Sequence, residues 1–82
     1  MRRKTFRITI KDRFDVREVR ERTELGRDSF ASLIGVSRRA VESWEQGTRI
    51  PSGSARNLLI MTWKHPELVK QTLLDTIEIC KS

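Results

Sequence analysis

The feature that most constrains the fold is the tripeptide Gly35-Val36-Ser37, which separates two short amphipathic segments. The first segment, residues 27–34, has helical spacing of its apolar side chains, and glycine is the residue that most often follows the end of a helix. Ser37 is a favoured N-cap for the second segment, residues 38–46, which Gly47 ends. Two helices joined by so short a turn predict a helix-turn-helix, so the surrounding fold is expected to be all-α.

The second of these helices has two distinct faces. At ~100° per residue, the apolar side chains and the polar side chains separate onto opposite sides. Its first turn holds two arginines beside the positive end of the helix dipole, where acidic residues would be more stable. An anion docked there would resolve this conflict. The apolar face holds Ala40, Val41 and Trp44, and the polar face holds Arg38, Arg39, Glu42, Ser43 and Gln46.

The polar face is suited to contact double-stranded DNA. In a helix-turn-helix the second helix enters the major groove, with its N-terminal residues nearest the base edges. Arginine matches guanine O6 and N7 through two parallel hydrogen bonds. We therefore predict base contacts from Arg38 and Arg39, and from Ser43 one turn further along. Glu42 either contacts a base or orients an arginine, and the alternative for the whole face is a merely solvated helix surface.

The remaining helices follow from the same signals. A first helix is predicted from Val16 to Glu24, with Asp15 as its cap. A fourth begins near Ser52 or Gly53, and a fifth begins at Pro66 and ends near Ile79. The apolar side chains of the fourth and fifth helices are too many for one stripe in so small a body, which predicts that some of them form a homodimer interface.

The positive charge lies almost entirely in residues 1–13. The chain of 82 residues has a net charge of +6, and this arm carries six basic side chains against one acidic side chain. Residues 14–82, the predicted helix-turn-helix domain, carry eleven against ten. Alternating Phe6, Ile8 and Ile10 predict a short β-strand in the arm. The arm could enter the minor groove, pair with its own copy or a partner's sheet, or order only on binding.

Composition excludes several other classes. The chain has one cysteine and one histidine, which argues against disulfides and against a Cys/His zinc site. The longest apolar run, 58–61, is far too short to span a membrane. The sequence has no phosphate-binding glycine loop and no nucleophile–base pair. We therefore expect that the protein is not an enzyme and binds no cofactor and no metal. A cytoplasmic location is expected.

Residues 25–53 resemble the XRE/Cro-like helix-turn-helix family, and the resemblance extends over about residues 15–75. Trp44-Glu45-Gln46-Gly47, Pro51-Ser52-Gly53 and His65-Pro66-Glu67 are similar to HigA-type antitoxins in particular, and to the related domain of MqsA-type antitoxins. The resemblance implies a five-helix fold like that of Cro and lambda repressor. It also implies a salt bridge between Arg20 and Glu45.

The same resemblance implies which residues face DNA. By position these are Arg27, Ser37, Arg38, Arg39, Ser43 and Arg49, of which Arg27 and Arg49 match backbone contacts. It implies a repressor that is also the antitoxin of a type II toxin–antitoxin module, autoregulating its operon and holding a small ribonuclease-type toxin. The alternatives are a free-standing Cro-like prophage or chromosomal regulator without a toxin, and a basic adaptor that binds RNA or protein through its arm.

Overall fold

Five helices make up the part of the chain that the computed structural model describes, residues 15–78. In order they are α1 (Val16–Thr23), α2 (Arg27–Ile34), α3 (Arg38–Gln46), α4 (Gly53–Lys64) and α5 (Pro66–Leu74). No strand occurs within residues 15–78. The all-α, five-helix prediction is therefore confirmed. The predicted arm or strand of residues 1–13 lies outside the described residues.

The boundaries of α2 and α3 coincide with the prediction because the turn residues have the conformations their types favour. Gly35 and Gly47 end the two helices at φ values of 85° and 80°, in the left-handed region where glycine is unstrained. The Ser37 hydroxyl accepts a hydrogen bond from the Ala40 backbone N–H at 3.1 Å, which caps α3. The turn between the helices is thus fixed at both of its ends.

The ends of α1 are set differently. Asp15 caps the first turn, its carboxylate accepting a hydrogen bond from the Arg17 backbone N–H at 3.0 Å. The helix ends at Thr23 because Glu24 has a φ of 62°. A left-handed conformation costs a residue with a side chain roughly 1–2 kcal/mol. Glu24 is therefore a strained position that glycine would fill without strain.

The predicted end of α5 near Ile79 is wrong, because the helix ends at Leu74. After Leu74 the chain makes a tighter turn, in which the backbone N–H groups of Thr76 and Ile77 both donate to the Leu73 carbonyl. Asp75, Thr76 and Ile77 are all exposed, so no burial against the core extends the helix over these residues of low helix propensity.

The core lies where α1 packs against the other four helices. Val41, the inward residue of α3, is fully buried, and the Trp44 ring is partly buried against the same cluster. This confirms the predicted apolar face of α3. The cluster of buried side chains contains Val16, Val19, Phe30, Ala31, Ile34, Val41 and Leu59. Burial on one side of α3 fixes which of its side chains reach solvent.

Candidate nucleic-acid interface

The turn between α2 and α3 is closed by two backbone hydrogen bonds to one carbonyl. The N–H groups of Gly35 and Val36 donate to the Ala31 oxygen at 2.8 and 2.9 Å. Val36 is half-buried and packs against the core, and Val41 anchors α3 beyond it. The first turn of α3 is consequently held on a rigid support with its polar face outward.

Arg38 lies at the start of α3 between two carboxylates. Its Nη1 is 3.0 Å from Asp28 Oδ2 in α2, and its Nε is 3.1 Å from Glu42 Oε1 one turn along α3. The hydrogen bond that Arg38 donates to Asp28, together with the charges of both acids, raises the pKa of Arg38 above its ordinary value. The guanidinium remains 52% exposed, so it is positioned and still accessible. We call Asp28, Arg38 and Glu42 the surface cluster.

Arg39 and Arg49 differ from Arg38 in having no ion pair with any residue of the described range 15–78. Both are exposed. Arg49 follows Gly47 in the loop after α3, where the N–H groups of Thr48 and Arg49 donate to the Ser43 carbonyl at 3.0 and 3.3 Å. The loop is therefore fixed to α3 while the Arg49 side chain extends into solvent.

The two serines predicted to face DNA have separate environments. The exposed Ser37 uses one hydroxyl lone pair to cap α3, which leaves its O–H free to donate to another acceptor. Ser43 is half-buried on α3, a turn beyond Arg39. Arg38, Arg39 and Ser37 thus share the exposed N-terminal end of α3, and Ser43 lies further along it.

Arg27 is placed in a different cluster, which we call the interhelix junction: Arg20, Arg27 and Glu45. Glu45 Oε2 is 2.7 Å from Arg20 Nε, and Glu45 Oε1 is 3.3 Å from Arg27 Nε. The Glu45 side chain is only 5% exposed, and that of Arg20 is 14% exposed. The predicted Arg20–Glu45 salt bridge is therefore confirmed, and a second arginine joins it.

Burial and charge act in opposite directions on Glu45. Burial alone raises the pKa of the Glu45 carboxyl, but the hydrogen bond from Arg20 and the charges of Arg20 and Arg27 more than offset it. The pKa of Glu45 is lowered overall. That of Arg20 is raised, chiefly by the same hydrogen bond. The junction therefore holds an ionised carboxylate that ties α1, α2 and α3 together.

Three of these contacts were not specified by the sequence reasoning. The Arg38–Glu42 pair has the i,i+4 spacing of helical ion pairs, which supports the idea that Glu42 orients an arginine. Asp28 was not predicted as a partner, because it lies on another helix. Arg27 was expected at a DNA phosphate, and its contact with Glu45 leaves its side chain 40% exposed.

Within residues 15–78 no three potential His, Cys, Asp or Glu ligands lie close enough together to hold a metal ion. None of the described helices has the length and apolar character needed to cross a membrane.

The chain was compared with known protein families and with curated proteins. No protein-family model matches the chain. The chain is 40% identical over 53 residues to Antitoxin HigA-2 of Vibrio cholerae serotype O1. The match covers 65% of this chain and 51% of the relative, so the chain spans about half the length of that curated protein. The resemblance to HigA-type antitoxins, which belong to the XRE-like helix-turn-helix family, is confirmed by this match.

Proposed function

We propose that this chain is a sequence-specific DNA-binding repressor and the antitoxin of a type II toxin–antitoxin module. In this role it binds double-stranded DNA at its own operator and represses the operon that encodes it. The role requires no catalysis and no cofactor, and it is carried out in the cytoplasm, where the operator lies.

The first turn of α3 carries the DNA-binding part of the proposal. It contains no acidic residue and begins with two exposed arginines, Arg38 and Arg39. The opposite side of the same helix is anchored by the buried Val41. A helix supported from behind, with donors at its exposed N-terminus, has the arrangement that a major-groove recognition helix needs.

The predicted contacts divide by their position around α3. Arg38, Arg39 and Ser43 are proposed to contact base edges, because they lie on the polar face of the helix. Ser37 and Arg49, at the two ends of α3, are proposed to contact the sugar-phosphate backbone. Arg27, whose side chain is 40% exposed beside Glu45, is proposed to contact the backbone as well. Such contacts set the register of the helix on DNA.

We propose a homodimer because two-fold symmetric proteins read paired half-sites one helical turn, ~34 Å, apart. An apolar groove between α4 and α5 fits this interface. Met61 is 59% exposed and Leu68 is 62% exposed beside a cavity of about 240 Å³. The groove is lined by Leu58, Met61, His65, Leu68, Val69, Thr72 and Leu73. Sedimentation equilibrium tests this, because Leu68→Lys should convert a dimer to a monomer.

The toxin partner is supported by the name of the curated relative, an antitoxin, and this favours the antitoxin role over a free-standing regulator. The partner expected is a small ribonuclease-type toxin. A gene for a small protein beside this one, whose product co-purifies with this chain and stops growth when expressed alone, supports the proposal. A solitary gene with no such neighbour supports the free-standing alternative.

The arm of residues 1–13 allows two roles that one experiment separates. If the arm contacts phosphate, its deletion should lower the slope of log affinity against log salt by several units, at ~0.9 per phosphate contact. If the arm pairs as a strand with its copy or with a toxin, the slope should stay unchanged while that association is lost.

The test of DNA recognition is an equilibrium binding assay on the promoter fragment of the chain's own gene. Arg38→Ala with Arg39→Ala should abolish preference for this fragment over a scrambled one, since each bidentate base contact contributes ~1–3 kcal/mol of discrimination. Arg17→Ala with Arg22→Ala, which removes two exposed arginines of α1, is the matched control and should retain the preference. Preference that survives in the Arg38 and Arg39 variant contradicts the proposal.

A further inference from the structure

The surface cluster pairs Arg38 with two carboxylates and leaves part of its guanidinium available. Its guanidinium is bracketed by Asp28 at 3.0 Å and by Glu42 at 3.1 Å, each about half exposed. An arginine has five N–H donors, of which these two contacts use two. Three donors, including both N–H groups of Nη2, remain available to an acceptor in the groove.

The cluster as a whole is negative. Two carboxylates and one guanidinium give a net charge of −1 at the start of α3. The described body, residues 15–78, has ten basic and ten acidic side chains, so it supplies no general attraction for phosphate. Arg39 and Arg49, in contrast, are exposed and have no ion pair in that range. The cluster therefore weakens binding to any DNA that offers only its backbone.

A guanine edge and a phosphate bind an arginine through different interactions. Phosphate is an anion that attracts any nearby positive charge, while guanine O6 and N7 are neutral acceptors that require two donors at fixed positions. An ion-paired guanidinium has lost most of its net attraction for an anion. Held from two sides, it also loses little rotamer freedom when it binds a base edge.

We propose that Asp28 and Glu42 make Arg38 the residue of this surface that contributes most to specificity, because they position its guanidinium for guanine and cancel its charge toward phosphate. This inference rests on the proposed DNA-binding function and deepens it. Asp28 and Glu42 are positioning residues, since they act through Arg38. Arg39 keeps its full charge toward phosphate beside its proposed base contact. Arg49, at the end of α3, provides affinity that depends less on sequence.

The test uses Asp28→Asn with Glu42→Gln, which keeps the side-chain shapes and removes both charges. Removing one charge about 7 Å from a phosphate should tighten binding to scrambled DNA by ~3- to 10-fold. We therefore expect the double variant to bind scrambled DNA at least ~10-fold more tightly. Promoter affinity should change less, because the gain from removing the charges is offset by a guanidinium that is no longer positioned for guanine. The ratio of promoter to scrambled affinity should therefore fall. The loss of affinity on replacing the G·C pair that Arg38 contacts in the promoter should also become smaller.

The matched control is Glu18→Gln with Glu67→Gln, which makes the same charge change at exposed sites on α1 and α5. It should shift both affinities together by less than ~3-fold and leave their ratio unchanged. Thermal unfolding verifies that each variant folds, and the single variant Asp28→Asn should show the same change in ratio at smaller amplitude.

Two results would overturn the inference. If wild type prefers its promoter and the double variant keeps the same ratio as the control, the inference fails and the proposed function stands. If wild type shows no preference at all, the proposed function fails and this inference fails with it.

Discussion

The interhelix junction and the surface cluster use the same chemistry with the signs exchanged. In the junction one carboxylate, Glu45, contacts two arginines, and its side chain is 5% exposed. In the surface cluster one arginine, Arg38, contacts two carboxylates, and its side chain is 52% exposed. The distances are similar, at 2.7 and 3.3 Å against 3.0 and 3.1 Å.

Because the two clusters differ in exposure, we expect them to have different roles. A buried ion pair that loses one partner leaves an uncompensated charge in a poorly solvated place, so it is tightly coupled to folding. An exposed pair is screened by water and contributes little to stability. The junction therefore fixes how α1, α2 and α3 pack, and the surface cluster is free to serve binding.

The largest expected effect is the removal of Glu45. Glu45→Ala should lower the free energy of unfolding by about 3 kcal/mol, because it leaves the nearly buried Arg20 without its partner. Chemical denaturation measures this. The control is Glu21→Ala, which breaks the exposed Arg17–Glu21 pair and should cost less than about 0.5 kcal/mol. Equal losses of unfolding free energy in the two variants would show that the buried junction contributes no more to stability than an exposed ion pair.

A smaller effect should appear on acidification. The folded state lowers the pKa of Glu45, so its contribution is complete above the usual value of 4.5 and is lost as pH falls through the folded-state pKa. Stability of wild type should therefore decline more steeply below about pH 4.5 than that of Glu45→Gln. Denaturation midpoints at a series of pH values provide the comparison, and parallel curves would argue against an ionised, paired Glu45.

An increase in stability is expected from a substitution at the end of α1, beside the junction. Glu24→Gly should stabilise the protein by about 1 kcal/mol, since glycine adopts the observed φ of 62° without strain. Glu24→Ala removes the same charge but keeps the strain, and it should give no such gain. If both variants stabilise equally, the charge and not the backbone is responsible.

The smallest expected effect on stability belongs to the surface cluster. Arg38→Ala should leave the free energy of unfolding nearly unchanged, because Arg38 and its two partners are about half exposed. Chemical denaturation under the conditions used for Glu45→Ala gives the direct contrast. A loss approaching that of Glu45→Ala would mean that Arg38 is structural.

The sequence predicted the helices better than the contacts between them. Gly35, Ser37 and Gly47 fix the ends of α2 and α3 through local conformational preferences, so those boundaries could be read directly. The Arg20–Glu45 bridge came from family resemblance. The end of α5 was missed because apolar spacing alone could not show that Ile77 stays exposed, outside the core cluster.

The cross-helix partners were missed for a different physical reason. Asp28 and Arg38 are ten residues apart, and Arg27 and Glu45 are eighteen apart. Whether such pairs meet depends on the crossing of the helices and on long side-chain rotamers, neither of which a spacing pattern specifies. The predicted DNA contacts of Arg27, Ser37, Arg38, Arg39, Ser43 and Arg49 remain proposals.

The central claim is that the surface cluster serves DNA recognition and the interhelix junction serves stability. Its most direct test measures two quantities for Arg38→Ala: the ratio of promoter to scrambled affinity at one fixed salt concentration, and the free energy of unfolding. Loss of one bidentate guanine contact should lower the ratio of promoter to scrambled affinity by ~5- to 150-fold. The free energy of unfolding should stay close to that of wild type. An unchanged ratio, with or without a loss of stability, would contradict the assignment of Arg38 to DNA recognition.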